Sequence, residues 1–215
     1  MKIRSLYCLL LCLLFAATSC SGAEEATLGH KDSPIRSTDS LKGQKVLIVY
    51  LSRTKNTQAV AEIIHQRVGG DLIGLELEKP YPAHYQTTVD QVAEENRTGY
   101  LPPLKTKIDS IEKYDIVFVG FPTWGMQLPP PMKSFLKQYN LAGKTVIPFN
   151  TNAGYGIGSS FDSIKKLCSK SKILEGFATK AGIERDGILF AISGEKEKQV
   201  IVQVAEWLAK LGFTK

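Results

Sequence analysis

Two hexapeptides in this chain, Val46-Leu47-Ile48-Val49-Tyr50-Leu51 and Ile116-Val117-Phe118-Val119-Gly120-Phe121, carry no charge and do not alternate. A strand with one wet face alternates apolar and polar residues. A strand that is apolar throughout is covered on both faces. Sheets covered in this way are parallel, and each parallel connection needs a crossover of a dozen residues or more, usually a helix. The intervening sequence supplies one. Val60, Ala61, Ile64 and Val68 share a helical stripe that stops at Gly69-Gly70. Leu72 to Leu77 reads as a second strand, broken by Lys79-Pro80-Tyr81-Pro82, and His84 to Arg97 as a helix that Leu101-Pro102-Pro103 closes. Met132 to Tyr139 is a helix opened by prolines. Thr145 to Phe149 is a fourth strand, with Pro148 expected near its end. Phe161 to Cys168 is helical, Ile173 to Phe177 a short fifth strand, and Val200, Val204, Trp207, Leu208 and Leu211 form one face of a last helix. Five strands, each followed by a helical segment, predict an α/β doubly wound parallel sheet. Its right-handed crossovers leave a ligand crevice at the carboxyl ends of the strands.

The N-terminal segment has a different character. Lys2 and Arg4 precede an apolar run, Leu6 to Phe15, and then small residues. That is an export signal over residues 1–20, too short to span a membrane comfortably. Ala17-Thr18-Ser19-Cys20 resembles a lipobox, which implies lipidation at Cys20 and a membrane anchor facing the periplasm or the cell surface. Ser21-Gly22-Ala23-Glu24-Glu25 resembles the acidic export tag of Bacteroides-type surface lipoproteins. Residues 21–43 read as a flexible tether and 44–215 as the folded domain. Of the four cysteines, Cys8 and Cys12 leave with the signal, so Cys168 is the only thiol left to the domain. No internal disulfide is expected. The net charge of +6 is scattered, without a basic run interleaved with aromatics, so nucleic acid is a poor partner.

Three loops leave the carboxyl ends of strands one, three and four. The first is Ser52-Arg53-Thr54-Lys55-Asn56-Thr57, rich in hydroxyls and placed at a helix N-terminus, where orphan amides and the helix dipole favour an anion. The second is Pro122-Thr123-Trp124-Gly125-Met126, whose indole offers a flat platform. The third, Thr151-Asn152-Ala153-Gly154-Tyr155-Gly156-Ile157-Gly158-Ser159, carries glycines that let backbone approach a ligand closely. Gly154-x-Gly156-x-x-Ser159, with Glu175 nineteen residues after Gly156, also evokes a dinucleotide fingerprint. Its third glycine is displaced, and it follows the fourth strand rather than the first. His30, His65 and His84 lack metal-ligand spacing. Neither a Gly-x-Ser-x-Gly elbow nor a Walker A loop is present.

Ser52-x-Thr54-x-Asn56-Thr57 resembles the FMN-phosphate loop of the flavodoxin family, with Lys55 where that family usually has glycine. If the backbone there takes positive φ, lysine costs about 1 kcal/mol or more; its ammonium also suits a phosphate. Tyr81-Pro82-Ala83-x-Tyr85, Tyr114-Asp115-x-Val117, Pro130-Pro131 and Val204-x-x-Trp207-Leu208 look like a bacterial flavodoxin-like subfamily. The resemblance implies a three-layer α/β/α fold with strand order 2-1-3-4-5 and FMN as cofactor. It implies a phosphate seat at Ser52, Arg53, Thr54, Lys55, Asn56 and Thr57, and a flavin ring beside Pro122, Thr123, Trp124 and Gly125. Thr151, Asn152, Ala153, Gly154, Tyr155 and Gly156 are expected at its polar edge. No catalytic acid or base and no metal site stands out. The expected activity is electron transfer with a redox partner protein or a small-molecule acceptor, as a carrier or as an NAD(P)H-linked quinone or flavin reductase. The alternative is an exported binding lipoprotein whose domain has lost FMN.

Overall fold

The computed structural model describes residues 43–213. The export signal, Cys20 and the tether lie outside the described residues, apart from Gly43. The described chain runs β1 (Val46–Tyr50), α1 (Asn56–Val68), β2 (Asp71–Gly74), α2 (Tyr85–Thr98), β3 (Ile116–Pro122), α3 (Pro130–Gln138), β4 (Thr145–Asn152), α4 (Ser160–Leu167), β5 (Lys172–Ile173), β6 (Phe177–Lys180) and α5 (Gly194–Lys210).

All strand pairings are parallel, in the order β2-β1-β3-β4-β5, with β6 also paired to β4. The alternation of side chains across a strand explains why β1 and β3 are apolar throughout. Leu47, Val49, Val117, Val119 and Phe121 face Met132 and Phe135 of α3 and Ile164 of α4. Ile48, Ile116, Phe118, Ile147 and Phe149 face Val60, Ala61 and Ile64 of α1 and Val200, Val204, Trp207 and Leu208 of α5. Two cores, one on each side of the sheet, make the three-layer sandwich expected from the sequence.

The fifth strand departs from expectation. In place of one run from Ile173 to Phe177, two short strands succeed each other against β4. Val146 pairs with Ile173 and Phe149 with Phe177, so a step of three residues on β4 meets a step of four on the partner. Pro148 lies in that interval. It has no N–H to donate to a ladder, which accounts for the break. The displaced residue sits close over the proline: a Cβ on Gly176 would come within 2.9 Å of Pro148 Cγ. Pro148 therefore stands inside β4, not near its end, because the partner strand gives way instead. β4 continues to Asn152, delivering Thr151 and Asn152 to the carboxyl edge. β2 is shorter than the run Leu72 to Leu77, which ends in an isolated antiparallel bridge from Leu77 to Leu104.

Candidate functional site

The first loop turns sharply. Lys55, the residue before α1, has φ 63°, in the left-handed region, and makes no side-chain cap. A left-handed residue before a helix turns successive amides toward one concavity. Gln58 N donates to Ser52 Oγ at 3.3 Å and Ala59 N to Lys55 O at 2.9 Å. The N–H groups of Thr54, Lys55, Asn56 and Thr57 donate to no acceptor among the described residues. Lys55, Asn56 and Thr57 are orphan donors of a helix start, and Thr54 adds the N–H just before the cap.

The side chains of this loop mostly brace it. Asn56 is buried; its Nδ2 donates to Thr54 Oγ1 at 2.9 Å and Leu189 O at 2.6 Å, and its Oδ1 accepts from Ala191 N and Ile192 N. Thr57 Oγ1 shares a hydrogen bond of 2.8 Å with Thr151 Oγ1 beneath the loop. Arg53 donates from Nε to Glu184 at 2.7 Å, from Nη1 to Pro82 O at 3.0 Å and from Nη2 to Ala83 O at 2.9 Å. Its charge is matched within the protein, so Arg53 positions the loop and leaves an anion to the amides.

The second loop closes on itself. Trp124 and Gln127 exchange two backbone hydrogen bonds across Gly125 (φ 56°) and Met126 (φ 58°), a two-residue turn of the I′ kind. Thr123 is fixed from below: its N donates to Thr151 O, its Oγ1 donates to Gly156 O at 3.0 Å and accepts from Asn150 Nδ2 at 3.0 Å. Trp124 is half-buried against the core, and Tyr81 meets it edge to face, with ring centroids 5.3 Å apart at 89°. Tyr81 donates its hydroxyl to the buried carboxylate of Glu95. Burial first, and then that carboxylate, hold the phenol well above the ordinary tyrosine range, so it stays protonated.

The third loop is organised by Asn152, whose Oδ1 accepts from Gly154 N at 2.9 Å and Gly156 N at 3.2 Å. Those two amides are consumed internally; Ala153 N and Tyr155 N have no acceptor among the described residues. Gly158 (φ 54°) lies on the second loop, where a Cβ would fall 2.1 Å from Met126 O. Tyr155 is 65% exposed, with its hydroxyl 3.3 Å from Arg185 Nη2.

The three loops thus meet at one edge. Thr54, Asn56, Thr57, Thr123, Thr151 and Asn152 line a polar cavity of about 120 Å³, together with Arg53, Pro122, Trp124 and Ala153. Gly125, Tyr155 and Gly156 line an adjoining cavity of about 210 Å³. Ser52 supports the first loop from behind, Lys55 forms its turn, and Gly154 backs onto Lys180, 3.3 Å from where its Cβ would be. A fourth wall was not read from the sequence: Ala181, Gly182 and Glu184 after β6, and Tyr85 at the start of α2. No local pattern marks them, because Glu184 reaches the site through a partner 131 residues away in sequence. Among the described residues no cluster of side chains suits a metal ion, and no helix is long and apolar enough to cross a membrane.

Comparison with known proteins agrees with this geometry. The family model described as Flavodoxin matches residues 45–189. A candidate flavoprotein from Bacteroides eggerthii is similar at 27% identity and a TM-score of 0.64, over 80% of this chain and 99% of its own. Another from Bacteroides uniformis shares 24% identity with a TM-score of 0.63, over 78% and 99%. A flavoprotein from Lactobacillus acidophilus, solved in complex with FMN, shares 20% identity with a TM-score of 0.58, over 63% and 93%. With the matched segment running from the start of β1 through the three loops to the wall after β6, the chain belongs to the flavodoxin family.

Proposed function

We propose that the cleft holds FMN and that the protein is an electron-transfer flavoprotein. The observation that carries this reading is the set of four N–H groups, from Thr54 to Thr57, left without acceptors in a left-handed turn at the N-terminus of α1. Such a concavity suits a phosphate, by orphan donors and by the helix dipole together. Thr54 Oγ1 and Ser52 Oγ lie in the same loop. Trp124, held on edge by Tyr81, offers a face for the isoalloxazine ring, and the free amides of Ala153 and Tyr155 lie on the opposite loop for its polar edge. The FMN complex of the Lactobacillus acidophilus relative supports the choice of flavin. FMN, when bound, supplies the redox chemistry, and this chain binds the phosphate, orients the ring and limits its contact with water.

The test is a titration of FMN with purified protein, following flavin fluorescence. Quenching at micromolar protein is expected, and Thr54→Ala should weaken binding about tenfold, the size of one charge-assisted hydrogen bond. Absence of quenching contradicts the reading. NAD(P)H oxidation by the loaded protein then distinguishes a reductase from a carrier.

We further propose export and lipidation at Cys20, supported by the charged, apolar and small-residue segments of residues 1–20. Incorporation of labelled palmitate into the full chain, lost in Cys20→Ala, is the expected result; no label in the parent refutes it.

A further inference from the structure

The positive charge that is scattered along the sequence is gathered by the fold at the edge opposite the cleft. Six lysines and one carboxylate, Asp162, lie from position 137 to position 172. Asp162 is already matched, 3.1 Å from Lys165. Crossover helices run back against the parallel strands, so helix C-termini and strand amino ends share one edge of the sheet. Lys137 lies in the last turn of α3, Lys166 in that of α4, and Lys172 opens β5. Main-chain hydrogen bonds of 2.9 Å set the strand starts side by side: Asp115 N donates to Lys45 O, Thr145 N to Asp115 O and Lys172 N to Lys144 O. Between the ends of α3 and α4 lies a cavity of about 380 Å³, lined by Lys137, Gln138, Asn140, Ser169 and Lys170, with no carboxylate in its wall.

Helix stabilisation explains part of this charge. A cation in the last turn complements the helix dipole, which suits Lys137 and Lys166. The effect fades beyond that turn, so it does not account for Lys172, inside β5. Lys144 is used internally, donating to Glu112 O at 3.2 Å and Tyr114 O at 2.5 Å. The ammonium groups of Lys137, Lys166, Lys170 and Lys172 meet no acceptor among the described residues, and all four residues are exposed. Two carboxylates of this edge are engaged beside β1 to β3: Asp115 accepts from Lys45 N, and Asp71 from the Tyr114 hydroxyl. Asp109 and Glu112 stand before β3, one strand further from β5. The chain before Gly43 joins the domain at this same edge, through Lys45 and β1. It carries the apolar run Leu6 to Phe15 and Cys20. A basic face on the edge where such a segment is attached favours an anionic bilayer over an acidic protein.

We propose that the amino edge of the sheet, through Lys137, Lys166, Lys170 and Lys172, docks on a bilayer surface that carries anionic phospholipid headgroups. The carboxyl edge, with the cleft and the exposed Ile188, Leu189 and Phe190, then faces away from the bilayer. The choice of a bilayer rests on the proposed export; the charge of the face does not. The test is co-sedimentation of the full chain with vesicles of phosphatidylcholine alone, or of phosphatidylcholine and phosphatidylglycerol in equal parts. Tighter binding to the anionic vesicles, weakening as salt is added, is expected. Each lysine near such a surface contributes about fivefold, so Lys137→Gln, Lys170→Gln and Lys172→Gln together should weaken that binding about a hundredfold. A matched variant at the carboxyl edge, Lys79→Gln, Lys196→Gln and Lys198→Gln, removes the same charge and should weaken it less than about fivefold. None of these six lysines is buried, so both variants should fold. Cys20→Ala should keep the preference for anionic vesicles. Equal binding of the parent to the two vesicles overturns the proposal, as an acidic protein partner would require. An equal loss in the two triple variants also overturns it, by making net charge and not this face responsible. Loss of the preference in Cys20→Ala overturns it by assigning the preference to the anchor. A retained preference in a chain that takes up no palmitate would sink the lipidation alone.

Discussion

Lys55 occupies a position that the left-handed turn before α1 reserves by preference for glycine. At φ 63° an L-residue bears a strain of about 1–2 kcal/mol, partly offset because glycine loses more freedom on folding. Lys55→Gly should therefore raise stability by about 0.5–1 kcal/mol, seen as a higher urea midpoint at unchanged slope. An unchanged or lower midpoint would mean that the lysine side chain stabilises the turn by contacts of its own. Cys168 makes the opposite case, an ordinary residue in an apolar setting. Burial pushes its thiol up to about 11 from 9.0. The folded chain then holds the proton where the unfolded chain releases it. The stability this contributes is present below pH 9.0 and is lost as pH rises toward about 11. Cys168→Ala should flatten the fall in unfolding free energy across that window, and an unaltered slope would show that the thiol titrates normally.

Between elements, the site depends on contacts that join β1, β3 and β4 at their carboxyl ends. The hydrogen bond of Thr57 to Thr151 ties the start of α1 to β4 in a buried setting. Replacing either threonine by valine leaves the other hydroxyl unsatisfied, at a cost of about 1–3 kcal/mol. The double variant should recover part of that loss, and strict additivity in the cycle would show that the two hydroxyls are not coupled. Gly158→Ala should be more damaging. Its Cβ would meet the Met126 carbonyl at 2.1 Å in a left-handed conformation, a combination of overpacking and strain worth about 2 kcal/mol or more, measurable as a drop in Tm. The sequence makes these elements legible to different degrees. Uninterrupted apolar runs identify β1 and β3, and turn-forming glycines mark the loops. Pro148 was visible, yet its effect fell on another strand, splitting the fifth into β5 and β6. Asn56 reads as part of the phosphate motif, but nothing in the motif shows that its carboxamide also holds Leu189, Ala191 and Ile192. Contacts across more than 130 residues leave no local pattern, so the role of Arg53 as a brace to Glu184 emerges only when the chain is folded.

At the scale of the molecule, a sheet covered on both faces leaves its carboxyl edge as the place where backbone donors converge. The sequence locates that edge because three loops of unusual composition follow strands one, three and four, and the fold brings them around a common cleft. What the sequence does not show is the fourth wall, built from the start of α2 and the segment after β6, which turns the edge formed by the three loops into a set of adjoining cavities. The proposed function rests on the amides of the first loop as the seat of a phosphate. The direct measurement is a paired titration of the purified protein with FMN and with riboflavin, which differ only in that group. Charge-assisted hydrogen bonds of about 1.5–3 kcal/mol each predict that FMN binds at least about a hundredfold more tightly. Equal affinity for the two flavins would contradict it.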